Sequence, residues 1–313
     1  MSEILVTGHK SPDTDSICSA ISYANLKNQM GIKARPICAG QANKETAFAL
    51  NYFGVEHPQI VNNFSEVATN GEKVKVVLVD HNESVQIIDG IEHAEIIENI
   101  DHHRIGGLTT ENPIFIHYEP VGCTCTLVAN FYWQYNQEIP KHIAGLLLSA
   151  IISDTVLFRS PTCTPKDKAT AEKLAAIAGV NLEQYGMEML KAGANVSDFT
   201  DEQIVRNDMK EFSTADKVIT IGQIQVMDTS DVLAKKADLL NALEVLRSTN
   251  NYSASYLMIT NILEESTNLI YAGDAAAIVE KAFGKAPQDN EVFLEKTMSR
   301  KKQIVPPVLG AMK

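Results

Sequence analysis

His9, Asp13 and Asp15 fall within seven residues of one another, in the stretch Leu5-Val6-Thr7-Gly8-His9-Lys10-Ser11-Pro12-Asp13-Thr14-Asp15-Ser16. One imidazole and two carboxylates on a short loop make a cradle for a divalent metal. The plainer alternative is a polar turn, with Asp15 capping the next helix and His9 solvated. Three further places share the pattern. Asp80 follows the apolar run Val74–Val79, Asp101-His102-His103 follows Glu95–Ile100, and Asp154 ends the apolar run Leu146–Ser153. Charged groups at the ends of buried elements are costly unless solvated, paired or metal-bound. Asp80 could equally be a turn residue, and Asp154 could cap the segment that follows it. His57, His81, His93, His117 and His142 carry no such company and read as ordinary hydrogen-bonded or surface histidines.

The elements that must position these residues are legible in the periodicity. Ile4–Val6 is a short buried strand, and Ile17, Ala20, Ile21 and Ala24 recur at helical spacing after it, with Asp15 or Ser16 as the cap. Gly8 and Pro12 keep the intervening loop out of the helix. Strands are expected at Ala34–Cys38, Val74–Val79, Glu95–Ile100 and Ile114–Ile116. Helices are expected at Glu45–Phe53, Cys125–Tyr135, Ile143–Ile152, Asp167–Ala178 and Leu182–Leu190. Strands alternating with helices point to a parallel sheet covered on both faces. Its strands deliver their carboxyl ends to one rim, where ligands of open α/β sheets bind. His9, Asp13, Asp15, Asp80, His102 and Asp154 would then face one pocket. Six N and O donors are too many for one zinc ion and suit two divalent ions that share a bridging carboxylate.

The pattern weakens over Ala192–Thr200, which is the expected boundary and hinge. The expected layout is a larger α/β domain over 1–191, a linker over 192–200 and a smaller α/β domain with a mixed sheet over 201–313. In the second domain the spacing predicts a helix over Asp201–Asn207, a strand pair within Val218–Val226, a long helix over Asp231–Leu246, strands at Tyr256–Ile262 and Leu269–Ala272, and a helix over Ala275–Phe283.

Composition excludes several classes. The chain has 313 residues, 45% of them hydrophobic, which is enough for two ordinary cores. Its formal net charge is −12, against a general nucleic-acid or membrane-surface binder, which needs a basic face. An anionic substrate is still allowed, because bound divalent cations reverse the local sign. Cys18, Cys38, Cys123, Cys125 and Cys163 are odd in number and scattered, so they read as free thiols of a reducing compartment. With no basic-then-apolar leader and no apolar segment of spanning length, the expected location is cytoplasmic.

Five ordered motifs carry a specific resemblance. They are Gly8–Ile17 (GHKSPDTDSI), Val79–Glu83 (VDHNE), Asp101-His102-His103, Ser149–Thr155 (SAIISDT) and Ser299–Gln303 (SRKKQ). In these the chain resembles the DHH phosphoesterase superfamily, and within it the family II, manganese-dependent inorganic pyrophosphatases, over nearly its whole length. The resemblance implies that His9 and Asp13 bind one metal, that Asp15, His102 and Asp154 bind the other, and that Asp80 bridges them. It implies that His103 contacts substrate, that Lys210 is the substrate lysine of the second domain, and that Arg300 and Lys301 clamp the terminal phosphate. Without it, Arg300-Lys301-Lys302 would be an ordinary solvated charge run.

The implied reaction is hydrolysis of pyrophosphate to two phosphates by a hydroxide shared between two metals. A mixed His/Asp set suits Mn²⁺, with Co²⁺ as a substitute, better than Mg²⁺; a further Mg²⁺ is expected to arrive with the substrate. The implied assembly is a homodimer. The competing reactions are those of an exopolyphosphatase and of a DHH-type oligonucleotide phosphodiesterase. The second is disfavoured because no glycine-rich GGGH-type motif is present, and a dinucleotide dehydrogenase because the first loop lacks GxGxxG.

Overall fold

The computed structural model describes residues 3–68, 71–194, 198–214 and 217–313. The chain forms two compact units, Met1–Gly193 and Ala194–Lys313. The hinge expected over 192–200 includes Asn195, Val196 and Ser197, which lie outside the described residues.

The first unit alternates strand and helix. Its elements are β1 (Ile4–Thr7), α1 (Thr14–Gln29), β2 (Ala34–Cys38), α2 (Lys44–Phe53), β3 (Gln59–Ile60), β4 (Val74–Val79), β5 (Ala94–Asp101), β6 (Phe115–Tyr118), α3 (Thr124–Gln134), α4 (Lys141–Thr155), α5 (Pro165–Ala178) and α6 (Leu182–Gly193). The six strands form one parallel sheet in the order β3-β2-β1-β4-β5-β6. Val76–Val79 are wholly buried, as a strand covered on both faces must be. Leu5, Ile37, Val76 and Leu78 pack on one face with Phe64 and Ile88. On the helical side, α1 packs against α3 and α4. Ile143–Ile152 of α4 are buried all round, which makes α4 a core helix rather than an amphipathic one. The chain runs outward from β1 to β3, then returns to β4 and runs the other way. The strand order therefore reverses between β1 and β4, which opens a crevice at their carboxyl ends.

The second unit contains α7 (Asp201–Val205), β7 (Lys210–Ser213), β8 (Val218–Val226), α8 (Ser230–Leu233), α9 (Lys236–Thr249), β9 (Ala254–Asn261), β10 (Ser266–Gly273), α10 (Ala276–Phe283), β11 (Glu291–Leu294) and α11 (Val305–Ala311). Its sheet has the order β11-β10-β9-β8-β7, with only β8 and β9 parallel. One face buries Ile219, Ile221, Tyr256 and Met258 against Val279 and Val308, and the other buries Ile224, Leu257 and Ile270 against Leu239, Leu243 and Leu246. The architecture is thus a parallel α/β unit followed by a smaller mixed-sheet unit, as expected.

Three local expectations are corrected. Val218–Val226 is one continuous strand, not a pair; Gly222 inside it is a close-approach glycine, since a methyl there would lie 2.6 Å from the Val205 carbonyl oxygen. The helix expected over Asp231–Leu246 is two helices, broken at Ala234 and Lys235. Val232 still joins Leu239, Leu243 and Leu246 in one cluster, so the periodicity runs through the break. Finally, Asp13 caps α1, accepting from the Ser16 N–H at 2.9 Å, whereas Asp15 lies inside the helix. The carboxylate of Asp15 is drawn off to α3, as described next.

Candidate metal centre

His9, Asp13, Asp15, Asp80, His102, His103 and Asp154 come together at the carboxyl ends of β1, β4 and β5. Three overlapping sets form: His9/Asp13/Asp80, Asp15/His102/Asp154 and Asp80/His102/His103. Within each set one ligand atom per residue lies within 4.8 Å of the others. A fourth set, Asp15/Cys123/Cys125, shares Asp15. Asp80 sits at the middle. Its Oδ2 is 3.5 Å from His9 Nε2, and its Oδ1 is 3.5 Å from His102 Nε2. Each oxygen therefore faces a different imidazole. His9 Nε2 is also 3.4 Å from Asp13 Oδ2, and His102 Nε2 is 3.7 Å from Asp154 Oδ2.

The backbone holds the histidines in the tautomer that a metal needs. His9 Nδ1 is 2.7 Å from the Lys10 carbonyl oxygen, and His102 Nδ1 is 2.9 Å from the Val121 carbonyl oxygen. A carbonyl only accepts, so Nδ1 carries a proton, and Nε2 is the nitrogen that faces the carboxylates and would bind metal. His9 Nε2 is buried and makes no hydrogen bond. The electrostatics show the same demand for positive charge. Burial pulls the His9 imidazole down, but the Asp13 and Asp80 carboxylates outweigh it and raise its pKa to about 10. Burial alone would raise Asp80, but His102 and His9 beside it hold its carboxyl well below the usual range. Asp15 is pushed up to about 7, first by burial and then by the Asp80 charge. A divalent cation satisfies such a donor set, so the residues fit bound metal.

Local conformation carries the placement. Asp80 directly follows β4 with φ 63, in the left-handed region. A non-glycine residue there costs about 1–3 kcal/mol, and such strain clusters at functional sites. Val156, Leu157 and Phe158, directly after the last turn of α4, are left-handed as well (φ 49, 51 and 68), so the chain turns sharply just beyond Asp154. At β1, a methyl on Gly8 would lie 1.8 Å from Ser16 Oγ and 2.8 Å from Ser16 Cα. Gly8→Ala is therefore expected to push the start of α1 off β1 and to displace Asp13 and Asp15. Overpacking of this kind costs about 1–3 kcal/mol. A thermal midpoint and a bound-metal measurement check it; a variant matching wild type in both would show that the loop yields at no cost.

Several contributors were not assigned a role from sequence. Asp101, the first letter of the DHH motif, is fully buried and accepts from the His102 and His103 backbone N–H groups at 2.7 and 3.0 Å. Its Oδ1 is also 2.8 Å from His103 Nδ1, and its Oδ2 takes a 2.6 Å bond from Asn82 Nδ2. It orients His103, and the motif could have supplied that reading. Val121 and Thr124, which contact His102, Asp15 and Asp80, have no motif to mark them. His81 stays outside these sets. Its Nδ1 is 2.9 Å from the Val79 carbonyl oxygen, and burial lowers its pKa to about 4, so it is neutral.

The three expected cations lie in the second unit. Arg300 is buried and so is not a solvated charge, whereas Lys302 in the same run is exposed. Its Nη1 donates to the Asp208 carbonyl oxygen and, at 3.3 Å, to that of Ile221, and its Nη2 donates to Asp208 Oδ1 at 3.0 Å. Lys210 begins β7 two residues after Asp208 and is half-buried, and Lys301 is exposed.

A parallel sheet with a His/Asp centre at its strand-order reversal, followed by a mixed-sheet unit, is the arrangement of the DHH phosphoesterases. A sequence model of the DHH family N-terminal domain matches residues 3–151, and one of the DHHA2 domain matches residues 187–311. The chain is 47% identical over 312 residues to the manganese-dependent inorganic pyrophosphatase of Bacillus subtilis strain 168, covering 100% of this chain and 99% of that one. It is 45% identical over 313 residues to the manganese-dependent inorganic pyrophosphatase of Methanothrix thermoacetophila, covering 99% and 98%. A crystal structure from Methanococcus jannaschii, assigned to the family II inorganic pyrophosphatases, superposes with a TM-score of 0.85 at 42% identity, covering 98% of this chain and 99% of that one. The chain belongs to the family II, manganese-dependent inorganic pyrophosphatases of the DHH family.

All five cysteines are free, and among the described residues no helix is long and apolar enough to cross a membrane.

Proposed function

We propose that this chain hydrolyses inorganic pyrophosphate to two phosphates with two divalent ions, Mn²⁺ as the resident metal and Co²⁺ as a substitute. The observation that carries the reading is Asp80, with one oxygen toward His9 and the other toward His102. On this reading His9 and Asp13 hold one ion, Asp15, His102 and Asp154 hold the other, and Asp80 bridges. Bound there, the ions would supply charge neutralisation for the phosphates and a water acidic enough to serve as nucleophile at neutral pH. The chain's own residues do the rest. His103, held by Asp101 through Nδ1, contacts the substrate. Lys210, Arg300 and Lys301 bind the phosphates and stabilise the charge on the departing one. A further Mg²⁺ would accompany the substrate. Residues 1–191 are the catalytic unit, 192–200 the linker and 201–313 the substrate-binding unit.

The full catalytic assembly is proposed as a cytoplasmic homodimer; a monomer mass in light scattering would refute the dimer. Activity is tested by phosphate release from pyrophosphate, tripolyphosphate, long polyphosphate and a dinucleotide, each with Mn²⁺ and with Mg²⁺. Pyrophosphate with Mn²⁺ is expected to be fastest, and chelated protein to be inactive until Mn²⁺ or Co²⁺ is restored. Faster release from long polyphosphate, or from the dinucleotide, would replace the reading.

A further inference from the structure

One uncharged segment touches three of the proposed ligands. The Val121 carbonyl oxygen is the acceptor for His102 Nδ1. The Thr124 and Cys125 N–H groups donate to Asp15 Oδ2 and Oδ1 at 2.6 and 2.9 Å. Thr124 Oγ1 donates to Asp80 Oδ1 at 3.2 Å. The geometry of α3 explains how. The first N–H groups of a helix need an acceptor from outside it, commonly the cap side chain. Cys123, in the cap position, supplies no side-chain bond, and the carboxylate of Asp15 fills that role from α1. The segment itself is pinned. Gly122 N–H and Thr126 Oγ1 donate to the buried carboxylate of Asp167 at 2.9 and 2.6 Å, and a methyl on Gly122 would lie 2.8 Å from Thr155 Cγ2.

Thr124 alone among these residues reaches two ligands, Asp15 through its backbone and Asp80 through its hydroxyl. We propose that Thr124 is a positioning residue of the metal centre, its hydroxyl fixing the rotation of the Asp80 carboxylate so that Oδ1 and Oδ2 stay turned to different ions. This rests on the reading of Asp80, Asp15 and His102 as ligands. A carboxylate torsion is broad and two-fold when nothing holds it. Each carboxylate oxygen has two acceptor directions, so a hydroxyl on one direction of Oδ1 leaves the other for a metal. Thr124 is itself well placed to hold that bond, being fully buried and β-branched in the first turn of a helix.

The test is the Mn²⁺ dissociation constant of the full-length protein, measured by calorimetric titration of chelator-treated samples. Thr124→Val keeps the shape and the N–H to Asp15 and removes only the hydroxyl. It is expected to weaken Mn²⁺ binding about 10–100-fold, the usual cost of losing a partner behind a ligand. Thr124→Ser, which keeps the hydroxyl, is expected to stay within about threefold of wild type. In an Asp80→Ala background, Thr124→Val should add nothing, because its target is gone. Should Thr124→Val not fold, Thr124→Ala carries the same comparison. Wild-type affinity in Thr124→Val, equal losses in Thr124→Ser and Thr124→Val, or an undiminished loss in the Asp80→Ala background would each overturn the proposal. If Asp80→Ala itself binds Mn²⁺ as tightly as wild type, the ligand reading falls, and the proposal with it.

Discussion

Asp80→Ala is expected to lower kcat/KM on pyrophosphate by about 10³-fold or more and to lower the bound-metal content, the largest effect of any single ligand change. The other proposed ligands each serve one ion. Asp80 presents one oxygen to the His9/Asp13 side and the other to the His102 side. Removing it takes a bond from both ions and the negative charge from between them. Repulsion between two dications is four times that of two unit charges at the same distance, so the loss of that screening is felt by both. Asp80→Asn keeps the shape but not the charge and should fall between alanine and wild type. The left-handed backbone supplies a control. With φ 63 at this position, glycine fits better than alanine, so Asp80→Gly should be at least as stable as Asp80→Ala yet equally inactive. Elemental analysis beside kcat/KM and a thermal midpoint on chelated protein separates ligand loss from unfolding. Near wild-type activity and metal content in Asp80→Ala would remove it from the bridging position.

How much of this was legible in the sequence follows from which forces act locally. β1 and β4 are short apolar runs, with His9 one residue beyond the end of β1 and Asp80 directly after β4, so the placement of both at one rim came from periodicity alone. The role of Asp15 did not. Its spacing fits a cap of α1, but its carboxylate bonds α3, more than a hundred residues away in sequence, and no local pattern encodes that. Asp13, two residues earlier, takes the cap instead. β7 and β11 were missed because each has four residues, is paired only along one edge and alternates more buried with more exposed positions too briefly to stand out. Arg300 shows the same limit from the other side. Three cationic residues in a row read as solvated, but the first of them is buried and bonded to the Asp208 carbonyl and carboxylate and the Ile221 carbonyl, from distant parts of the chain.

Arg300→Ala is expected to leave metal content unchanged while lowering kcat/KM by one to two decades, since cations do not ligate cations. A charge-assisted contact is worth about 1.5–3 kcal/mol, which sets that range. The structure adds a second consequence. Nη1 and Nη2 hold Asp208, whose φ of 41 places it in the left-handed region just before Lys210 and β7. These contacts engage Nη1 and Nη2, so the guanidinium anchors the turn and, on the proposed reading, also meets the substrate. Arg300→Lys keeps the charge but not the planar fork, so it should recover only part of the activity and little of the anchoring. Asp208→Ala isolates the anchor, because it removes the carboxylate partner and leaves the arginine in place. If Arg300 acts on substrate, Arg300→Ala must exceed Asp208→Ala in its effect on kcat/KM while the two are similar in thermal midpoint. Equal kinetic losses in both would make Arg300 a structural residue of the second unit and leave Lys210 and Lys301 as the phosphate-binding pair.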